Sequence, residues 1–420
     1  MDYYSSPRWT NEILDCSMPM TFDTYNLCSY QCQYCFSFYQ QSHYDDYMQK
    51  NMQHVNVEKV KKIFTDPDSS QFAAYVKKRI PMQWGGLSEP FDLREKEQGI
   101  TLELLRFFRQ INYPVSLSSK SVWHLKDDRY RDVLNGAKNF HIKVSIITYD
   151  EEKARKIEKG VPTPKERVWA IGEYVKLGLA AANLRLRPFI IGVSNPSHAE
   201  LIKQVAAVGA YGVSTEFFCL EARAAPNVKA RYKIMSDVAG YDIWEFYRRF
   251  SVQQGYRRLN YEVKRPYING IKLLCAGYGL KLFVSDANHK EACAYGSCCC
   301  GVPDTGMFGK FAKCQFTQAI LIAKKKGEVH FSDIASEETE YLKETPYIDA
   351  EGFNTANLAN RAKHRYMSMF DHMRATWNNP KHQNSPYRYF DGILLPVRLD
   401  ENNDVVYLFN QPKYEGTDTK

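Results

Sequence analysis

Three cysteines stand at x3 and x2 spacing in the run Cys28-Ser29-Tyr30-Gln31-Cys32-Gln33-Tyr34-Cys35-Phe36. Thiolates so spaced can converge from one looped segment on a single small inorganic centre. A structural zinc would want a fourth ligand close by, and His43 is eight residues beyond Cys35. Three ligands suit an iron–sulfur cluster that keeps one position open for chemistry. The plainer reading is a zinc knuckle or an ordinary loop. A second group, Cys293, Cys298, Cys299 and Cys300 with Cys314 beyond, could ligate a second Fe–S cluster or zinc, supply a hydrogen-donating thiol, or simply be buried. Consecutive cysteines cannot all face one way, so at most a subset binds one metal. Cys16, Cys219 and Cys275 are scattered and read as small buried hydrophobes.

The chain around these thiols is ordinary in composition. Its 420 residues are 44% hydrophobic and 25% charged, which excludes long disorder and fibrous structure and permits a large core. No apolar run nears the roughly 18 residues of a membrane span, and the first residues lack an apolar signal region. The expectation is a soluble, cytoplasmic protein with no membrane partner. The 11 cysteines are odd in number and clustered, so in a reducing compartment they read as metal ligands or catalytic thiols before disulfides. The formal charge of +8 permits a nucleic-acid partner without demanding one. Lys77-Lys78-Arg79 and Lys324-Lys325-Lys326 read as solvated faces.

The elements that must position the first cysteines alternate in type. Strand patterns at Met20–Asn26, Ile80–Trp84, Val115–Ser118, Ile142–Thr148, Leu184–Ile190 and Tyr211–Phe217 are separated by helical ones. The latter include Val57, Val60, Ile63 and Phe64, then Thr101–Ile111, Glu151–Lys159, Lys165–Leu177 and Pro196–Val208. Such alternation predicts a parallel sheet with crossover helices and active residues at the C-terminal strand ends. A seventh strand candidate, Leu280–Ser285, precedes the second cysteine group. The second strand runs into Gly85-Gly86-Leu87-Ser88-Glu89-Pro90, where glycines let backbone approach a ligand closely.

The Cys-x3-Cys-x2-Cys signature, with an aromatic before its last cysteine, resembles the radical S-adenosylmethionine superfamily. Further segments resemble its spore photoproduct lyase-like branch over roughly residues 15–290. They are Ser119-Lys120-Ser121, Val144-Ser145-Ile146-Ile147-Thr148, the Pro-rich run from Ile157 to Arg167, and Leu184-Arg185-Leu186-Arg187-Pro188 through Gly192. The resemblance implies an α/β fold, a partial (β/α)6 barrel, with a C-terminal α+β extension. It implies a [4Fe–4S] cluster on Cys28, Cys32 and Cys35 whose fourth iron chelates S-adenosylmethionine and cleaves it to a 5′-deoxyadenosyl radical. Gly85 and Gly86 would take the amino group of that cosubstrate, and Lys120 and Ser145 its carboxylate, for which an ammonium and a hydroxyl are suitable donors. Tyr34, Ser88 and Glu89 are counted with this set. Arg187 and Glu216 would face the nucleoside or the substrate. Glu158 and Arg167 read as a structural ion pair. A flavodoxin- or ferredoxin-type electron donor is implied.

The departures from that branch bear on the reaction. Photoproduct lyases quench the product radical with a cysteine beside the glycine turn, helped by a tyrosine after the third cluster cysteine. Leu87 and Phe36 stand there in this chain, and neither donates a hydrogen atom readily. Thymine-dimer repair by that route is not expected. A nucleoside or DNA substrate is, with isomerisation of an aminoacylated, hypermodified thymidine as the specific expectation. The rivals are modification of a peptide or small molecule in the same barrel, and a non-catalytic metal-binding barrel protein. Residues 1–290 would form the barrel and 291–420 the Cys-rich segment and extension. In the latter, Phe316–Lys325 reads as a helix, Tyr341–Met373 as polar and partly helical, Trp377–Pro380 and Ser385–Tyr387 as loops, and Gly392–Leu399 with Val405–Phe409 as a hairpin. This extension would act as a lid over the barrel or pack against its outside.

Overall fold

A computed structural model describes residues 7–9, 18–37, 52–70, 72–254, 256–335, 340, 342–345 and 367–415. Cys16, His43, Tyr341 and residues 346–366 lie outside the described residues.

Seven strands run parallel in chain order: β1 Met20–Phe22, β2 Met82–Trp84, β3 Val115–Ser119, β4 Phe140–Ser145, β5 Ala181–Phe189, β6 Gly212–Phe217 and β7 Lys281–Val284. Six repeats were expected. The seventh arises because Lys281 registers with Gly212 and extends the sheet instead of leaving it. Arg8–Trp9 pairs antiparallel with the outer edge of β1. The result is the parallel sheet that the alternation of patterns predicted, in the form that the resemblance implied, a partial α/β barrel with a C-terminal α+β extension.

The crossover helices form where the sequence caps them. Asn56 accepts from Lys59 N–H at 3.1 Å to start Val57–Thr65, whose Val60, Ile63 and Phe64 are buried, with Phe64 edge-on to Phe108 and Tyr113. Thr163 and Glu166 form a capping box, with Pro164 at the first position, to start Pro164–Lys176. Helix Glu151–Ile157 stops two residues short of the expected Lys159. Glu158–Lys159 is instead a short strand pairing antiparallel with Gln31–Cys32. The helical pattern ends there because Glu158 turns inward to a buried cation, described below.

Between β6 and β7 lies an insertion that the sequence pattern did not resolve. It holds helices Pro226–Ala239 and Ile243–Phe250 and a three-stranded antiparallel sheet of Cys219–Glu221, Tyr256–Leu259 and Ser251–Gln254. Helix Tyr261–Gly277 then leads into β7.

The strands alternate in a manner unusual for a parallel sheet, whose strands are commonly apolar on both faces. On one face of β4 stand His141, Lys143 and Ser145, and on β5 Asn183, Arg185 and Arg187, with leucines, isoleucine and valine between them. These polar residues meet inside the barrel. Ser116 Oγ lies 2.8 Å from His141 Nδ1, and Asn183 Nδ2 lies 3.0 Å from His141 Nε2.

The segment after β7 plugs this interior. Asn183 Nδ2 donates to Gly301 O at 2.8 Å, and Cys298, Cys299, Cys300, Cys314, Val302, Phe308 and Ala312 form a small core with Met18, which precedes β1. A plug that touches both ends of the sheet closes the open side of the barrel. Gly301 has φ +69°, and a Cβ there would meet Phe283 at 2.5 Å and Asn183 at 2.6 Å. Gly301→Ala is therefore expected to destabilise the fold by about 1–3 kcal/mol through overpacking, read as a lowered midpoint in urea. An unchanged midpoint would show that the plug seats loosely.

The extension packs on the outside of the barrel. Tyr261 Oη donates to Tyr414 O at 2.8 Å, and Lys78 pairs with Glu344. Helix Gln315–Lys326 and the expected hairpin, Leu394–Leu399 with Val405–Phe409, form one layer with Glu328–Val329. Ser385 caps a short helix, Pro386–Tyr389, where a loop was expected. In this layer His330 lies 3.2 Å from both Asp400 and Glu328. Burial alone would lower its pKa, but hydrogen bonds to these carboxylates outweigh it and raise it. A raised histidine stabilises fully below the unfolded pKa, and that stability is lost as pH rises through the folded value. Hydrogen exchange in Val405–Phe409 is expected to quicken as pH rises past about 6.5 beyond its intrinsic acceleration, and His330→Gln to remove that excess.

Candidate functional site

The C-terminal ends of the seven strands form one rim. After β1 comes Asp23, after β2 Gly85, and after β3 Lys120; β4 ends on Ser145, Arg187 and Glu216 stand near the ends of β5 and β6, and Ser285 follows β7.

The cysteine loop, residues 23–37, is anchored to this rim from three sides. Asp92 accepts from Ser29 N–H at 2.6 Å and Ser29 Oγ at 2.7 Å, fixing the chain just after Cys28. Gln31 and Cys32 pair with Lys159 and Glu158. Arg231, from the insertion, donates to Cys32 O at 3.0 Å. Cys32 is buried, and Cys28 and Cys35 are half-buried. Burial pushes the Cys28 thiol up, followed by the charges of Glu89 and Cys32; burial takes Cys32 up to about 12, against the pull of Lys120.

Among the described residues no three Cys, His, Asp or Glu side chains converge where one ion could sit. A four-iron cube has its irons at separate corners and asks its three thiolates to surround a volume instead of a point, so Cys28, Cys32 and Cys35 remain chemically suited to it.

The Gly85–Gly86 turn is shaped by close approach. Gly85 has φ +83°, and a Cβ there would lie 2.6 Å from Ser118 O; one on Gly86 would lie 2.6 Å from Thr21 Oγ1. Asp23 holds the turn by accepting from Leu87 and Ser88 N–H, both at 2.9 Å. Glu89 is fully engaged in holding protein. It accepts from Ser119 Oγ at 2.6 Å, Lys120 N–H at 2.8 Å and Phe91 N–H at 3.1 Å, and its burial raises its pKa. Glu89 thus ties the glycine turn to the Ser119-Lys120-Ser121 turn. This leaves Lys120 Nζ above the Tyr34 ring, 5.7 Å from its centroid, with no acceptor among the described residues.

Tyr34 Oη donates to Glu158, whose other oxygen takes Arg167 at 2.5 Å, and Arg167 also donates to Ser145 O at 2.7 Å. Both charges are buried. Burial works to raise Glu158, but Arg167 beside it holds its carboxyl below the usual range. The expected structural pair is present, and it links the cysteine loop to β4. Farther round the rim, Arg187 pairs with Glu216 (Nε to Oε2 2.9 Å) and donates to Ser285 Oγ at 3.2 Å and Cys299 Sγ at 3.4 Å.

So the structure brings Cys28, Cys32, Cys35, Tyr34, Gly85, Gly86, Ser88, Glu89, Lys120 and Ser145 to one part of the rim, and Arg187 and Glu216 to the other. Of the second cysteine group, Cys299 reaches the rim and Cys293 turns away, donating to Val284 O at 3.3 Å. Asp92, Arg231, Lys143 and Arg185 were missed. For the last two the signal was present, in the polar alternation of β4 and β5.

No protein-family model matches the chain, and no curated protein matches it. Solved structures do. A spore photoproduct lyase complexed with dinucleoside spore photoproduct aligns over 66% of this chain and 78% of its own, at 14% identity and a TM-score of 0.50. A variant of that lyase with bound AdoMet and the same dinucleoside gives 66%, 79%, 14% and 0.49. Streptococcus suis SuiB bound to S-adenosylmethionine gives 53%, 48%, 12% and 0.35. At such identity the first of these likenesses is one of fold alone, that of a partial α/β barrel.

Proposed function

We propose that the protein is a radical S-adenosylmethionine enzyme acting on a nucleoside or a nucleic-acid-linked group. The observation that carries this is the meeting on one rim of a three-thiol loop, a glycine turn without room for a Cβ, and an ammonium, Lys120 Nζ, without an acceptor among the described residues. The donor set fits the implied groups: three thiols for a [4Fe–4S] cluster on Cys28, Cys32 and Cys35, and Gly85, Gly86, Lys120 and Ser145 for the amino acid end of S-adenosylmethionine. When bound, that pair supplies a 5′-deoxyadenosyl radical once a low-potential donor of the flavodoxin or ferredoxin kind delivers an electron.

This chain's own residues then do three things. Asp92, Glu158 and Arg231 hold the cysteine loop; Asp23 and Glu89 hold the turns; the plug closes the barrel and keeps water from the interior. Nucleic acid is favoured by the insertion on the rim side, residues 219–260, which carries eight Lys and Arg against four Asp and Glu. Leu87 and Phe36 cannot donate hydrogen, which suits an isomerisation, where the atom removed from the substrate is returned to it. An aminoacylated thymidine in DNA is the substrate this reading names.

The test is anaerobic reconstitution with iron and sulfide, then dithionite and S-adenosylmethionine with DNA carrying aminoacylated thymidine. The expected result is 5′-deoxyadenosine or its catalytic turnover, with a nucleoside of unchanged mass and altered retention. Product from a peptide but not from DNA would move the reading to peptide modification. Zinc binding without iron binding would end it.

A further inference from the structure

The short pairing of Gln31–Cys32 with Glu158–Lys159 gives the cysteine loop two faces. Residues directly opposite on an antiparallel pair share a face, and successive residues alternate between faces. Cys32 and Glu158, opposite one another, are buried; Gln31 and Lys159, opposite one another, are exposed. The outer face is therefore separated from the side chain of Cys32 by one layer of backbone. Exposed cations surround it. Arg155 stands in the last turn of helix Glu151–Ile157, just before Lys159, and Arg94 and Lys96 follow Asp92, the residue that clamps Ser29. Among the described residues none of these four has a carboxylate within salt-bridge distance, and Lys96 rests instead on the Trp123 ring, 5.4 Å from its centroid. The acids of the same two segments do not offset them. Asp92, Glu95 and Glu158 are buried and bonded, and Glu151 and Glu152 pair with Lys165 and Lys156; Glu97 is the exposed exception. Leu93, 48% exposed, adds an apolar spot beside the cations.

We propose that this outer face of the cysteine loop is the docking surface of the one-electron donor, and that the donor is a small acidic redox protein. The proposal rests on the reading of Cys28, Cys32 and Cys35 as cluster ligands, and adds where the partner of that site sits and what charge it carries. An electron needs only close approach, and from this face it can pass through the loop at Cys32. A substrate must instead enter the mouth of the barrel to meet the rim, so the face suits a donor better than it suits nucleic acid. Cations without internal partners are complementary to an acidic surface. A small patch is enough, because electron-transfer encounters bury less than about 1,200 Å² and need not last. Attraction between such exposed charges speeds the encounter and fades with salt.

The test follows cluster reduction in the full reconstituted chain by stopped-flow absorbance, with either a photoreduced acidic flavodoxin or dithionite as reductant. Charge reversal at Arg155→Glu with Lys159→Glu is expected to slow reduction by flavodoxin about tenfold or more at low salt. Reduction by dithionite, which needs no docking surface, should change by less than about twofold. The wild-type flavodoxin rate should itself fall as sodium chloride rises from about 0.02 to about 0.3 M. A double variant that takes electrons from flavodoxin as fast as the wild type would overturn the proposal, as would a wild-type rate indifferent to salt. A variant that loses DNA binding but keeps its flavodoxin rate would also overturn it, and would assign the face to nucleic acid. Should the double variant fail to fold, Arg94→Glu with Lys96→Glu gives the same reading, slowed reduction expected and an unchanged rate contrary. A cluster that not even dithionite reduces would end the underlying reading; one that dithionite reduces, with flavodoxin rates unmoved, ends the docking surface alone.

Discussion

Cys28→Ala, reconstituted anaerobically with iron and sulfide, is expected to hold well under the four irons proposed for the wild type and to form 5′-deoxyadenosine only at background. Three thiolates are the smallest set that holds a four-iron cube while leaving one iron for a cosubstrate, so loss of one removes a corner and not a fraction of affinity. The loop itself should survive. Ser29 stays on Asp92, and the pairing of Gln31–Cys32 with Glu158–Lys159 uses backbone alone. Cys275→Ala is the control. Its thiol is buried in helix Tyr261–Gly277, so this variant should lose a little stability and no iron. Iron counts and deoxyadenosine yields on both variants decide the matter, and full iron in Cys28→Ala would remove that residue from the ligand set.

The repeat of strand and helix was legible because periodicity reports burial directly. β1 to β6 appear within a few residues of where alternation placed them, and the cysteine spacing marked the loop that they carry. The interior of the barrel was less legible for a physical reason. His141, Lys143, Asn183 and Arg185 become partners only after β4 and β5 lie in register, and no local pattern states that register. Asp92 is similar: it is separated from Ser29 by 63 residues. The plug was not legible because Gly301 meeting Asn183, and Met18 sharing a small core with Cys298, are long-range packing facts. The insertion between β6 and β7 was unread because its short strands pair only with one another.

Glu158→Gln is expected to cost about 3–5 kcal/mol of stability and to lower cluster loading although it alters no cysteine. The buried guanidinium of Arg167 would lose its counter-charge, and an unpaired buried cation is what makes the removal of one partner so costly. The neutral amide keeps the shape of the side chain, so cavity formation is not the cause. The same carboxylate takes the Tyr34 hydroxyl, and Glu158 pairs through its backbone with Cys32; a shift here therefore propagates into the cysteine loop between its second and third thiols. Arg167→Met should cost a similar amount by the opposite imbalance, leaving Glu158 to Tyr34 and the nearby Lys120. The double variant is the informative one. With both charges gone the interior is merely less polar, and its stability should recover well above the sum of the two single losses, because replacing a whole buried pair can be neutral or even favourable. Urea midpoints on the four proteins measure that coupling, and iron content measures its reach. Strict additivity would show that the two residues do not act as a pair. Full iron in all four would show that the pair supports the fold without positioning the loop.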